Sequence, residues 1–438
     1  MTNARTGLLV AVLLILAGAA REGPVRVAAA AARPPAPTTY DGREPDAAWR
    51  KAAAQRIETI RKGSLVVVVI DAAGKPVADA EVKVAMKRHA FGFGSAIDAR
   101  TLIADTDDGR RYRQTIATCF NKAVFENDLK WHRWEDKRCR GVMLKALKWL
   151  DKQGIAVRGA CLVWPSWKHM PKDVEGLKND KTALRRRIDR HVREEVQALK
   201  GRITEWDAIN EPYSNHHVMD ILGSDVMVEW FNAAHEEDPA AKLYLNDYSI
   251  LARGGRDAAH QAHFEKTLKF LLAKNAPLDG IGLQGHFNHE VTAPLRLLEI
   301  LDRFAEIGPP LQVTEFDINT KDRGVQADYT RDFLTTLFSH HKVEGILMWG
   351  FWAGRHWLPD AALFDRDWTP RPHAKVWKDL VLKTWWTNAT GRTDARGRFT
   401  TRGFLGDYDV TAAARGKTRT VSVSLTKHGT TVAVSIDR

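Results

Sequence analysis

At 438 residues the chain is too long for one ordinary domain, and it has room for a single large core of roughly 250 residues or more beside a small neighbour. With 44% hydrophobic and 27% charged residues, its composition excludes an intrinsically disordered or membrane-embedded chain. The formal charge of +12 invites a polyanionic partner, but lysine and arginine are scattered among acids and no basic tract carries interleaved aromatics, so nucleic acid is not an expected partner.

In chain order, Arg5 precedes the apolar run from Gly7 to Leu16, and Ala17-Gly18-Ala19 supplies small residues after it. This pattern predicts a secretory signal peptide over 1–19. The run is shorter than the roughly 20 residues of a membrane span, so the expectation is a secreted protein, extracellular or periplasmic, without stable membrane insertion. Residues 20–62 read as linker and lead-in, with an Ala/Pro-rich stretch from Ala28 to Pro37. From 63 to 88, short apolar stretches on either side of the turn Ala73-Gly74-Lys75-Pro76 predict two or three strands.

Between 89 and 387, short apolar segments alternate with amphipathic ones, as repeated βα units do. Candidate strands are Phe91 to Ile97, Lys122 to Phe125, Val157 to Trp164, Glu205 to Asn210, Lys242 to Leu245, Gly280 to Gln284, Leu311 to Thr314 and Gly345 to Gly350. The fold class is therefore α/β, with eight strands suited to a closed (β/α)8 TIM barrel. From 388 to 438 the pattern turns to β, with period-two alternation over Thr418 to Leu425 and Thr430 to Ile436. Neither flanking segment has enough strands to cover two inner faces by itself, so the two are expected to form one accessory β-sandwich interrupted by the barrel. They resemble the two halves of a carboxypeptidase-regulatory-like β-sandwich. Cys119, Cys139 and Cys161 are too few for a disulfide framework; one bridge is possible. Without a metal-ligand spacing, no metal or other cofactor is expected.

A barrel displays its reactive groups where its strands end. Trp206-Asp207-Ala208-Ile209-Asn210-Glu211 ends the fourth candidate strand, and Gln312-Val313-Thr314-Glu315-Phe316-Asp317 ends the seventh. Two carboxyl groups facing one another across a barrel mouth suit glycoside cleavage, in which one protonates the departing oxygen and the other meets the developing oxocarbenium carbon.

Other segments fall in a fixed order around these two: Phe91-Gly92-Phe93-Gly94-Ser95-Ala96, Phe120-Asn121 with Glu126-Asn127 and Lys130-Trp131, Leu245-Asn246-Asp247-Tyr248, Gly280 to His286, and Trp349-Gly350-Phe351-Trp352 with Gly354-Arg355-His356-Trp357. Together they resemble family 10 of the glycoside hydrolases, the endo-β-1,4-xylanases, over about 90 to 386. The resemblance implies a retaining enzyme acting on xylan or a related β-1,4-linked polysaccharide, with Glu211 as general acid/base and Glu315 as nucleophile. It implies Asn210, His286 and Asp317 as their supports: Asn210 on the sugar 2-hydroxyl, His286 held by Asp317 against Glu315. It further implies Glu126, Asn127, Lys130, Trp164, Gln284, Trp349 and Trp357 as substrate-binding residues, the first three on the glycone side. Trp377, Trp385 and Trp386 are expected to pack.

The chain departs from the family at Arg158-Gly159-Ala160-Cys161-Leu162-Val163-Trp164-Pro165-Ser166-Trp167. Ala160 and Pro165 stand where the family carries histidines, so Trp167, Lys168 or His169 is expected to fill the space. Alternatives remain a transglycosylase, a hydrolase of another β-1,4-glycan, and a weakly active carbohydrate-binding protein on the same barrel.

Overall fold

The computed structural model describes residues 40–436. The expected signal peptide and Ala/Pro-rich stretch lie outside the described residues. Fifteen strands follow in order: β1 Lys62–Ile70, β2 Glu81–His89, β3 Gly92–Ile97, β4 Lys122–Phe125, β5 Ala156–Gly159, β6 Glu205–Asn210, β7 Lys242–Asp247, β8 Gly280–Phe287, β9 Leu311–Ile318, β10 Val343–Met348, β11 Asn388–Arg392, β12 Arg398–Phe404, β13 Gly406–Ala414, β14 Lys417–Leu425 and β15 Thr430–Ser435.

Strands β3 to β10 close a parallel eight-stranded barrel, β10 pairing with β3. Barrel strands have one face on the lumen and the other under helices, so β3, β6 and β9 are buried along their whole length. The helices start where acids accept the free backbone amides: Asp180 from Ala183, Asp257 from His260, and Asp322 from Gly324 and Val325. Two differences from the sequence reading matter for the site. β9 runs on to Ile318, which puts Glu315 and Asp317 within the strand. The β8/β9 register shifts between Leu283 and Gln284, and beyond that irregularity Gln284 faces Glu315 and His286 faces Asp317. A bulge at a barrel rim re-aims side chains in this way.

The terminal segments interleave as one sandwich. Its sheets have the orders β12-β1-β15 and β11-β2-β13-β14, so each N-terminal strand lies between C-terminal ones. β1 pairs antiparallel with β12 and parallel with β15, and Val67 meets Phe399 and Val432. Leu65, Val67 and Val69 of one sheet and Val82, Val84, Tyr408 and Val410 of the other are buried. The outer face is polar, with Ser422 donating to Asp409 (2.9 Å), Ser424 to Asp407 (2.6 Å) and Thr411 bonded to Thr420 (2.8 Å).

Arg61 rivets the sandwich to the barrel base. It donates to the carbonyls of Phe338, His340 and Val343, each at 2.7 Å, with its guanidinium over the Phe91 ring. The lead-in to β1 contains a helix that the sequence reading did not place, Ala48–Ile60. Arg50 on this helix bonds buried Asp332 (2.8 Å), as does Tyr40 (2.7 Å), and Arg43 bonds Asp328 (2.7 Å). Trp377 and Trp385 are buried, and Trp386 packs edge-on against His89. All three cysteines are free thiols. Among the described residues no helix is long and apolar enough to cross a membrane.

Candidate active site

A cleft of about 620 Å³ opens at the C-terminal ends of the barrel strands. Glu126, Asn127, Lys130, Trp164, Asn210, Glu211, Gln284, His286, Glu315, Trp349 and Trp357 all line it. Asp317 is the one residue named from the sequence that lies behind the surface, fully buried.

Glu315 is held from two sides. Its Oε1 accepts from Asn246 Nδ2 at 3.1 Å, and its Oε2 lies 3.1 Å from His286 Nε2. The other imidazole nitrogen of His286 lies 3.0 Å from Asp317 Oδ2, which also accepts from Trp357 Nε1 at 2.8 Å. Burial alone would push the His286 pKa down, but the charges and hydrogen bonds of Asp317 and Glu315 outweigh it and raise it to about 10. His286 is therefore a cation at neutral pH and donates through both ring nitrogens. The buried Asn246 joins the two halves of the site: it also donates to Asn210 Oδ1 (2.9 Å) and accepts from Thr314 Oγ1 (2.7 Å). It fits because residue 282 is glycine; a Cβ there would come within 2.5 Å of Asn246 Oδ1.

Glu211 lies one residue past β6 in the left-handed backbone region, φ +53°. For a non-glycine residue that conformation costs on the order of 1–3 kcal/mol and persists only where the surroundings impose it. Here the Glu211 N–H donates to the Asn246 carbonyl at 2.8 Å, and Asn215 Nδ2 donates to the Glu211 carbonyl at 3.1 Å. Its carboxyl accepts from Gln284 Nε2 (3.0 Å) and Asn215 Nδ2 (3.3 Å). Burial raises its pKa to about 7, with the charges of Glu315 and Asp247 adding and the Gln284 hydrogen bond opposing. Of these two glutamates, Glu211 can carry a proton at neutral pH and Glu315 is bonded to a cationic imidazole.

The opposite arm holds Glu126, Asn127 and Lys130. Lys130 donates to Asn127 Oδ1 (2.8 Å), and its ammonium sits 5.4 Å from the Trp164 ring centre. Burial raises the Glu126 pKa against the pull of Lys130. Trp164 stacks on His169 with ring centres 3.5 Å apart. Burial, then the nearby charges of Lys168 and Lys130, lower the His169 pKa to about 4, so it is neutral at pH 7. Ala160, Cys161, Lys168 and His169 line the cleft as well. Of the three expected fillers, Lys168 and His169 reach the cleft; Trp167 stacks on His217 instead.

Sequence reasoning left Asn246, Asn215, Ser214 and Tyr248 out of the site. Asn246 and Tyr248 belong to a segment that ends the fifth barrel strand, which was a usable signal. Asn215 reaches Glu211 only through the turn between them, and no strand-end pattern marks it. Among the described residues no group of three or more His, Cys, Asp and Glu side chains is placed to hold a metal ion.

Comparison with known proteins places the same segments in one family. The family model described as "Glycosyl hydrolase family 10" matches residues 81–379. The anti-sigma-I factor RsgI6 of Acetivibrio thermocellus is 33% identical over 375 residues, 84% of this chain and 47% of that protein. Endo-1,4-beta-xylanase 1 of Arabidopsis thaliana is 28% identical over 359 residues, 81% of this chain and 37% of that protein. The match thus spans less than half the length of either relative. The crystal structure of xylanase 10B from Thermotoga maritima is similar with a TM-score of 0.61 at 25% identity, covering 67% of this chain and 96% of that one.

Proposed function

Since this chain belongs to glycosyl hydrolase family 10, we propose that it is a secreted, retaining endo-1,4-β-xylanase. The observation that carries the reading is the division between the two glutamates. Glu211 has its pKa raised to about 7 and can arrive protonated, while Glu315 is bonded to a His286 that is cationic at neutral pH. A carboxyl whose pKa is raised toward neutrality, beside a second carboxyl bonded to a cation, suits an acid paired with a nucleophile.

In the first step Glu211 gives its proton to the glycosidic oxygen as Glu315 bonds to the anomeric carbon and the aglycone leaves. In the second, Glu211 takes a proton from water as that water displaces Glu315 with a second inversion, so configuration is retained. Asn210, tied to Glu315 through Asn246, is suited to bind the sugar 2-hydroxyl. The names of the xylanase relatives support xylan as substrate, and the N-terminal apolar run supports secretion.

One relative bears the name of an anti-sigma factor and not of a hydrolase. The second reading is therefore a weakly active carbohydrate-binding protein on the same barrel, since a relative of this chain is not named for hydrolysis. Product analysis on xylan, glucuronoxylan, arabinoxylan and mixed-linkage glucan separates the readings. A xylanase releases xylo-oligosaccharides of mixed length from the xylans. Binding without new reducing ends supports the second reading; redistribution of chain length without new reducing ends supports a transglycosylase; equal release from the glucan overturns xylan specificity.

A further inference from the structure

We infer that the arm of the cleft around Trp164 takes xylan bearing a uronate branch, with the Lys168 ammonium pairing with the branch carboxylate. This rests on the xylanase reading and narrows its substrate.

The arm holds two lysines, and they are differently employed. Lys130 bonds Asn127, lies over the Trp164 ring and is the cation nearest in effect to Glu126. Lys168 is exposed, lines the cleft, and has no hydrogen bond, ion pair or ring contact among the described residues. Its backbone is nonetheless fixed by a tight turn: Ser166 N donates to the Trp164 carbonyl (2.7 Å), and His169 N (2.9 Å) and Met170 N (3.2 Å) to that of Ser166. The turn also seats His169 flat on Trp164.

A neutral pentose chain offers hydroxyls and ether oxygens but no charge, and the cleft has uncharged polar side chains such as Asn127 and Asn210 to meet them. An ammonium left uncompensated on the lining of a cleft favours an anion there. A uronate branch on the polysaccharide supplies one carboxylate at a fixed distance from the backbone it decorates. The overall charge of +12 draws such a polyanion toward the protein at low ionic strength.

The test uses three oligosaccharides with the same xylose backbone: one linear, one with a single uronate branch, and one with that branch reduced to its neutral alcohol. Both kcat/KM and calorimetric affinity are measured, so a result is obtained whether or not turnover occurs. For the wild-type chain the uronate form should exceed the carboxyl-reduced form by about fivefold in both readouts, the scale of one partly exposed ion pair. That margin should shrink with added salt. Lys168→Gln should abolish the ratio, Lys168→Arg should keep it, and Lys168→Glu should invert it. Equal values for the two branched forms, or a ratio that survives in Lys168→Gln, would overturn the inference while leaving the xylanase reading intact. If the linear oligosaccharide is bound but never cleaved, the xylanase reading fails and the affinity ratio still decides the role of Lys168.

Discussion

Glu205 and Glu211 flank the same strand, β6, and the barrel treats them in opposite ways. At the base, Glu205 accepts from Lys122 Nζ (2.8 Å), Arg158 (2.9 Å) and Gln312 Nε2 (2.5 Å). Burial would raise its pKa, but the two cations and these hydrogen bonds overcome it and hold it down at about 2. At the mouth, Glu211 has amide donors from Gln284 and Asn215 but no ion pair among the described residues, and burial lifts it to about 7. Depth alone therefore does not make a proton donor. Between these two glutamates, the difference is that Glu205 has two cations to offset its burial and Glu211 has none bonded to it.

The sharpest way to break the comparison is to alter the mouth. Glu315→Gln should lower kcat on every substrate by at least about 10⁴-fold, the scale on which removing a nucleophile acts. Glu211→Ala should lose about 10² to 10⁴-fold on xylan but much less on aryl xylosides whose leaving group needs no proton, with azide restoring turnover. Equal losses on both substrate types, without rescue, would reverse the roles assigned to the pair.

Altering the base should spare the chemistry and reduce stability. Lys122→Met strips one cation from the buried Lys122–Glu205–Arg158 cluster and should cost about 3–5 kcal/mol in denaturant unfolding, since it leaves a buried charge undercompensated. The shape of the pH–rate profile should not move. The depressed pKa of Glu205 also sets a direction for acid unfolding. Its contribution is complete above the ordinary glutamate value near ~4.3 and is lost as pH falls toward about 2. In Lys122→Met the folded-state pKa of Glu205 rises, so this contribution should be smaller and its loss should be complete at a higher pH.

The smallest expected effect lies at the mouth. Buried Asp247, whose Oδ1 lies 3.0 Å from His260 Nε2, adds negative charge that helps raise Glu211. The alkaline limb of kcat/KM, where Glu211 gives up its proton, should lie near pH 7, and Asp247→Asn should move it to lower pH. An upward move would mean that Asp247 acts on Glu211 through geometry alone.

The barrel was legible because its strands are short apolar runs at regular intervals. The interleaved sandwich was legible because two alternating segments each lacked the partners to close a core. Glu211 and Glu315 stood out because each falls where a strand meets the rim. The bulge that sets Gln284 opposite Glu315 was not legible, since register depends on which residues pair across strands and not on pattern within one. The same holds for Asn246, whose importance comes from reaching Asn210, Thr314 and Glu315 on neighbouring strands. The helix Ala48–Ile60 went unplaced because its weakly amphipathic, Ala-rich sequence takes its anchorage from Asp332, far along the chain.

The most direct test of the central claim is to trap the intermediate. A 2-deoxy-2-fluoro-β-xylobioside with a good leaving group slows breakdown of a glycosyl-enzyme more than its formation, so a retaining enzyme accumulates the adduct. Mass spectrometry of the digested protein should find one 2-deoxy-2-fluoroxylobiosyl group on the peptide containing Glu315, and none in Glu315→Gln. An adduct on another residue would contradict the assignment of Glu315; absence of any adduct, together with α-anomer as the first product of xylo-oligosaccharide hydrolysis, would contradict the retaining mechanism itself.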